Sequence, residues 1–439
     1  MDYGRVCKYL DDCLIFGIKP GLVRVNKILE LLGNPQKKLE FIHVVGTNGK
    51  TSTTKFTAGI LKYNGVRTAY HISPHINSYT ERIWIDGKDI SEKRFLKVFE
   101  TIYPYIEEVN KMNLEGPLTQ FEIITVMAFK LAEEEGIEVM VLEAGMGGRW
   151  DATNAADSKV VGLTGVSLEH TELLGSTIEE ITSEKVEVIK KGALVATTSC
   201  SEEVLRILNQ KVKNTGSKLF LYGKDFYIQK KINLGLDGWL LDIKGIKNTY
   251  RNLELPLAGN YQPLNLSLAL ALAELYMKTK DRELVEEKVR ESLKHIGVKG
   301  RLEVIKEKPL IIADASHNPE GIENFVENII TYAGNRRKII IFAVLKDKDY
   351  ESMVKKIISV SDVLILTSSQ NTRSLDIDKL EEVVKEKIKE SVNGGGGHKV
   401  ELYKIDSIEN SIKFALKISD INDIICITGS ITNLENIVR

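Results

Sequence analysis

Short apolar runs alternate with stretches of helical period along most of the chain. The runs fall at 41–45, 137–142, 160–164, 193–197, 310–313, 338–343, 362–367 and 423–428. Between them lie amphipathic segments at 119–135, 177–191, 203–213, 264–278, 320–333, 376–391 and 407–418. Runs this short and this apolar suit strands buried on both faces, and the segments between them are long enough for crossover helices. The alternation predicts βαβ units around mostly parallel sheets, an α/β fold. Residues 219–257 break the rhythm. There, alternating segments flank Asp237-Gly238, a hairpin turn signal, and predict a small antiparallel appendage on the first domain.

The helix-like run 281–295 ends in Gly297-Val298-Lys299-Gly300, and a new βα series begins just after it. Two glycines in four residues suit a linker, so a domain boundary is expected there. The expected division is 1–296 and 297–439, the second part being a smaller Rossmann-like α/β domain. Asn393 to Gly397, with four consecutive glycines, reads as a surface loop, because it precedes a strand whereas a phosphate cradle precedes a helix.

Composition narrows the function classes. The 439 residues can build two or three cores, and 43% apolar with 28% charged residues is ordinary for a soluble globular protein. A net charge of −1 gives no electrostatic reason to expect nucleic acid or an anionic membrane as partner. No apolar run approaches the roughly 18 residues of a membrane span. Residues 1–12 carry acids and lack the apolar core of a signal peptide. Cys7, Cys13, Cys200 and Cys426 are scattered without metal-type spacing. A cytoplasmic monomer is the expectation.

The chemistry starts at Phe41-Ile-His-Val-Val-Gly-Thr-Asn-Gly-Lys-Thr-Ser52. A strand runs into a glycine loop, and the loop opens a helix. Backbone N–H groups and the positive helix end at such a place cradle phosphate. Lys50 would reach the outer phosphates of a nucleoside triphosphate, and Thr51 could hold Mg²⁺. The strict P-loop pattern asks for glycine at position 44, where this chain has Val. Even so, the order of elements makes 1–296 a P-loop-type, mostly parallel nucleotide-binding domain.

Acids stand at other strand ends, where open α/β sheets bind ligands. Glu143 closes the run 137–142 and leads into Ala-Gly-Met-Gly-Gly-Arg-Trp-Asp-Ala-Thr-Asn154. A carboxylate beside a phosphate loop can hold Mg²⁺ directly or through water. His170 follows the strand 160–164 between Glu169 and Glu172, and a metal, phosphate or structural role fits it equally. Ser73-Pro74-His75 is a turn in its own right. Thr119-Gln-Phe-Glu122 and Thr177-Ile-Glu-Glu180 are capping boxes opening amphipathic helices. On the second of these helices Lys185 has the ordinary expectation of a solvated head group. In the second domain Asp314 ends a strand and Ala-Ser-His317-Asn-Pro-Glu-Gly321 follows. Asp, His and Asn there suit ribose, phosphate or a reacting carboxylate, while Asn318 also suits a helix cap with Pro319 at the first turn. Arg301 could reach phosphates, but a plain surface arginine fits it better.

The chain resembles the folylpolyglutamate synthase/dihydrofolate synthase family of the Mur ligase superfamily. The resemblance spans nearly its whole length. It rests on Gly46–Ser52, Ser73-Pro-His75 with Glu81-Arg82-Ile83, Phe121-Glu122 and Glu143–Asn154. Further matches are His170–Gly175 with Glu184-Lys185, Gly259 with Gln262 and Asn265, Gly300-Arg301, Asp314 with His317-Asn-Pro319, and Lys346–Asp349. It implies an ATP-dependent ligase that adds L-glutamate to a folate or to dihydropteroate through an acyl phosphate. On this resemblance Thr47, Asn48, Gly49, Lys50, Thr51, Ser52, Gln262, Asn265, Arg301 and Asp314 would contact ATP. Ser73 and Glu143 would hold one Mg²⁺, and Glu143, His170 and a carbamylated Lys185 a second. Lys50, Lys185 and His317 would be catalytic, and Arg82, Phe121 and Glu122 would face the substrate. Thr51 departs from the family's folate branch, which usually has glycine there, and Glu169 stands where the family usually has Asp.

Overall fold

The computed structural model describes residues 1–17, 20–369, 371–393 and 399–438. The expected glycine loop at 393–397 lies, beyond Asn393, outside them. The described residues form two compact units. One comprises 1–232, 240–255 and 262–296, the other 233–239, 256–261 and 297–439.

The first unit is built on an eight-stranded sheet of β1 (Glu40–Val45), β2 (Thr68–His71), β3 (Ile83–Ile85), β4 (Lys88–Asp89), β5 (Val139–Glu143), β6 (Ser158–Leu163), β7 (Leu194–Thr197) and β8 (Lys218–Leu221). Its order is β4-β3-β2-β5-β1-β6-β7-β8. β1 lies at its centre, parallel to β5 and β6, with Val44 opposite Glu143 and Gly162. β3 and β4 are antiparallel additions at one edge. A separate three-stranded sheet holds β9 (Tyr227–Asn233), β10 (Trp239–Lys244) and β11 (Thr249–Leu255). The expected appendage therefore begins later than 219. Residues 219–221 pair in parallel with β7 at the edge of the main sheet instead.

Helices cover both faces of the main sheet. On one face, Lys50–Tyr63 packs against Gln262–Thr279. The latter is buried on almost every side, and its apolar residues accordingly show no single stripe. Close approach is built in: a Cβ on Gly162 of β6 would come within 2.6 Å of Leu272. On the other face, Tyr3–Asp12, Val23–Leu31, Glu92–Lys111 and Gln120–Glu134 enclose a core that includes Phe95, Phe99, Phe129 and Met140. Both predicted capping boxes form, at Thr119 with Glu122 and at Thr177 with Glu180.

The second unit carries a six-stranded sheet of β12 (Glu303–Glu307), β13 (Leu310–Ala313), β14 (Lys338–Phe342), β15 (Val363–Leu366), β16 (Glu401–Lys404) and β17 (Ile424–Thr428), in the order β12-β13-β17-β14-β15-β16. All pairs are parallel except β12 with β13. Among the described residues no helix is long and apolar enough to cross a membrane.

Candidate active site

The loop after β1 is held open by two glycines. Gly46 has φ +143° and Gly49 φ +85°, conformations that side chains rarely adopt. Space forbids a side chain as well. A Cβ would lie 1.8 Å from Thr164 Oγ1 at Gly46 and 2.4 Å from Asn265 Oδ1 at Gly49. Thr47 is tied down on its far side, where its N–H donates to the Gly165 carbonyl at 2.8 Å and its hydroxyl accepts from Ser167 N–H at 3.1 Å. The helix Lys50–Tyr63 starts immediately after Gly49, so its free N–H groups open onto the loop. Lys50 folds back over the loop and donates to the carbonyls of Thr47 at 2.8 Å and Gly46 at 3.2 Å. Ser52 is buried at the start of that helix. Asn265 donates to Gln262 Oε1 at 3.2 Å. Gln262 is fully buried, and its Nε2 has no hydrogen-bond partner among the described residues.

Glu143 sits beside this loop because β5 pairs with β1. It is buried, and the Thr51 hydroxyl donates across both carboxylate oxygens at 2.9 and 3.0 Å. Lys185 arrives from the end of the helix Ile178–Lys185. Against the expectation for a helical lysine it is buried, and its Nζ donates to the Gly46 carbonyl at 2.8 Å. Burial and the positive charge of Lys50 lower its pKa to about 7. Gly148 makes room for this helix end, since a Cβ there would meet the Lys185 and Glu184 carbonyls at 2.5 and 2.7 Å. His170 adopts a left-handed conformation at φ 52° and stands 3.7 Å from the Glu169 carboxylate, whose charge also reaches Lys185.

Ser73 follows β2 and is partly exposed. Nearby, Arg82 is buried and donates through Nε to His75 Nδ1 at 2.8 Å. Burial lowers the Arg82 guanidinium to about 10, and burial with the Arg82 charge lowers His75 to about 3. The tip of the Phe121 ring lies against Gly145, where a Cβ would come within 2.7 Å of its Cζ. Glu122 is occupied by the fold. It receives Thr119 N–H at 2.7 Å as part of the cap, and its carboxylate accepts from the fully buried Arg24 at 2.8 Å.

A polar chain that the sequence had left inside a motif runs beneath the loop 144–154. Asp151 accepts from Met146 N–H at 2.8 Å and from Thr153, whose hydroxyl lies 2.8 Å from His43 Nε2. Burial raises the Asp151 carboxyl and lowers His43 to about 3, so His43 is neutral. A histidine inside the apolar strand β1 was the available signal.

The second unit gathers its own set. Asp314 is buried at the end of β13, and its two oxygens accept from Leu302 N–H at 3.0 Å and Ser316 N–H at 2.9 Å. Arg301 lies in the segment so anchored. His317 Nδ1 is 3.0 Å from the Ala315 carbonyl. Asn318 caps the helix Pro319–Ala333 by accepting from Gly321 N–H at 2.7 Å. Burial and the neighbouring Asp314 push the Tyr261 phenol well above its usual range.

The Mur ligase middle domain matches residues 44–273, and the Mur ligase glutamate ligase domain matches residues 300–431. The chain belongs to the Mur ligase family and is an ATP-dependent amino-acid ligase. Its relatives within that family carry more particular names. The dihydrofolate synthase/folylpolyglutamate synthase of Bacillus subtilis (strain 168) is 30% identical over 367 residues, covering 83% of this chain and 85% of the relative. The folylpolyglutamate synthase of Lacticaseibacillus casei is 32% identical over 356 residues, covering 80% of this chain and 81% of that protein. Among solved structures, Mycobacterium tuberculosis folylpolyglutamate synthase complexed with ADP and AMPPCP matches with a TM-score of 0.88 at 28% identity, over 98% of this chain and 96% of that one.

Proposed function

We propose that this ligase joins L-glutamate to the carboxylate of a folate, and also to dihydropteroate, with cleavage of ATP to ADP and phosphate. The observation that carries the reading is the cluster in the first unit. Lys50, Thr51 with Glu143, and the buried Lys185 converge on one glycine loop. The relatives' names cover both acceptors.

The chain's own groups divide the work. The loop N–H groups and Lys50 bind the outer phosphates, and Lys50 must leave the Gly46 and Thr47 carbonyls to do so. Gln262 Nε2 is a buried donor without a partner, which suits contact with the nucleotide. Arg82, paired with His75, and Phe121, against Gly145, present a cation and an aromatic face for the acceptor. Glu122, spent on Arg24 and the cap, serves the acceptor side by fixing the helix that carries Phe121. Arg301, Asp314 and His317 are assigned to nucleotide and acyl phosphate on the family resemblance alone. The acceptor carboxylate attacks the γ-phosphate, ADP leaves, and the glutamate amine then displaces phosphate from the acyl carbon.

Among the described residues no three His, Cys, Asp or Glu side chains come together as a metal cage. Mg²⁺ asks for less: one or two carboxylates, a hydroxyl and the substrate's own phosphates. Glu143 with the Thr51 hydroxyl is a donor set of that kind. Glu143 with Ser73 or Thr51 would hold one ion, and Glu143, His170 and a carbamate on Lys185 a second. Bound there, Mg²⁺ would neutralise charge on the transferring phosphoryl group. At a pKa of about 7 Lys185 is partly free amine at neutral pH, the form that adds CO₂.

The test is ADP release by the purified protein with ATP, L-glutamate and either folate or dihydropteroate. Release should require both glutamate and an acceptor. ADP formed equally fast without them would replace this reading with that of a simple ATPase.

A further inference from the structure

β2 ends in a histidine that the glycine-loop chemistry does not use. His71 is fully buried, and its strand lies between β5 and β3, with Leu142 opposite it on one side and Ile83 on the other. A buried imidazole must find partners for both ring nitrogens. His71 draws them from two separate elements. Its Nδ1 is 3.0 Å from the Arg82 carbonyl, and because a carbonyl only accepts, Nδ1 carries the hydrogen. Its Nε2 is 3.2 Å from the Thr125 hydroxyl, which in turn donates to the Phe121 carbonyl at 2.8 Å. The imidazole also stacks on the Phe121 ring, with centroids 5.7 Å apart and planes inclined by 23°.

One side chain therefore touches both groups assigned to the acceptor. Arg82 ends the turn Tyr79–Arg82, and Phe121 lies in the first turn of the helix Gln120–Glu134. The Arg82 guanidinium is held by His75 and lies over the Tyr79 ring at 5.3 Å. Those contacts orient the side chain, whereas the hydrogen bond from His71 fixes the backbone that bears it. For Phe121, Gly145 meets the tip of the ring, while His71 supports its face and, through Thr125, the carbonyl of the same residue. Two groups that grip one molecule need a fixed separation, since a misplacement of about 1 Å can cost roughly a hundredfold in rate.

We propose that His71 is a positioning residue for the acceptor, bracing Arg82 and Phe121 at a fixed separation without touching the acceptor itself. The inference rests on the proposed function, which gives Arg82 and Phe121 to the acceptor. The hydrogen bonds and ring contact of His71 run to Arg82, Thr125 and Phe121 rather than to the glycine loop that takes ATP. Its loss should therefore be felt by one substrate and not by the other.

The experiment is steady-state ADP release by the full chain, with ATP and the acceptor (folate or dihydropteroate) varied in turn at saturating L-glutamate. His71→Leu removes both hydrogen bonds and the ring. It should raise KM for the acceptor by about tenfold or more and leave KM for ATP unchanged. Two milder variants divide the brace. The amide of His71→Asn can still donate to the Arg82 carbonyl from the place of Nδ1, and the amide of His71→Gln can still meet Thr125 from the place of Nε2. Each should recover part of the loss. If His71→Leu does not fold, the same split between acceptor and ATP is read from these two, each of which lacks one arm of the brace. A histidine that served stability alone would give variants with less active enzyme, so kcat would fall with acceptor KM unchanged. That result overturns the proposal, and so does an equal rise in both KM values. A wild type that releases no ADP with either acceptor overturns the ligase reading and this inference with it, whereas a ligating wild type with indifferent variants overturns this inference alone.

Discussion

Lys185 ends its helix with Nζ on the Gly46 carbonyl and is 3% exposed. Nothing local in the sequence distinguishes it from a solvated helical lysine, because the burial comes from a loop 139 residues earlier in the chain. The glycine loop itself was legible, since strand, turn and helix follow one another within a dozen residues. Two predictions belong to these lysines. Lys50→Ala should lower ligation by about a hundredfold or more without altering the circular dichroism spectrum. With ¹³C-bicarbonate the wild type should show a carbamate carbon signal that Lys185→Ala lacks, and its absence from wild type would remove the carbamate from the mechanism. A third concerns His43 and His71, which burial lowers from 6.5 to about 3 and about 4. Both stay neutral in the fold, whereas the unfolded chain takes up protons below about 6.5. Stability is therefore complete above that pH and falls as pH drops toward the folded values. The two together contribute a slope of up to roughly 2–3 kcal/mol per pH unit. Urea midpoints at pH 7, 6 and 5 should decline in wild type and decline less steeply in His71→Gln.

At the scale of elements, the apolar runs revealed the buried parallel strands because strands covered on both faces are apolar throughout. β12 and β16 gave no such signal, since their residues alternate or are mostly exposed. β8 was misassigned for the same reason, as its four residues are only partly buried at a sheet edge. The cap at Thr119 was readable from four adjacent residues. The Arg24–Glu122 pair behind it was not, because its partners are 98 residues apart. Glu122→Gln should cost about 3 kcal/mol by leaving Arg24 buried without its main partner, and Arg24→Met/Glu122→Leu should recover part of that loss. Denaturant titration of both variants measures it. Gly148→Ala should displace the helix end bearing Lys185, cutting ligation by about tenfold or more with little loss of fold.

For the whole molecule, the two α/β units and the middle and C-terminal Mur ligase matches agree on a ligase frame. The acceptor does not follow from that frame, because it depends on loop and pocket side chains rather than on sheet order. Lys50 and Lys185 share the Gly46 oxygen, and the charge of Lys50 helps keep Lys185 deprotonated. A polyphosphate that draws Lys50 away and brings negative charge reverses both influences, so Lys185 regains its proton more readily. On the proposed carbamate mechanism, the amine is then best able to capture CO₂ before nucleotide arrives. An enzyme charged with bicarbonate first and ATP second should start at full rate, and one given ATP first should show a lag.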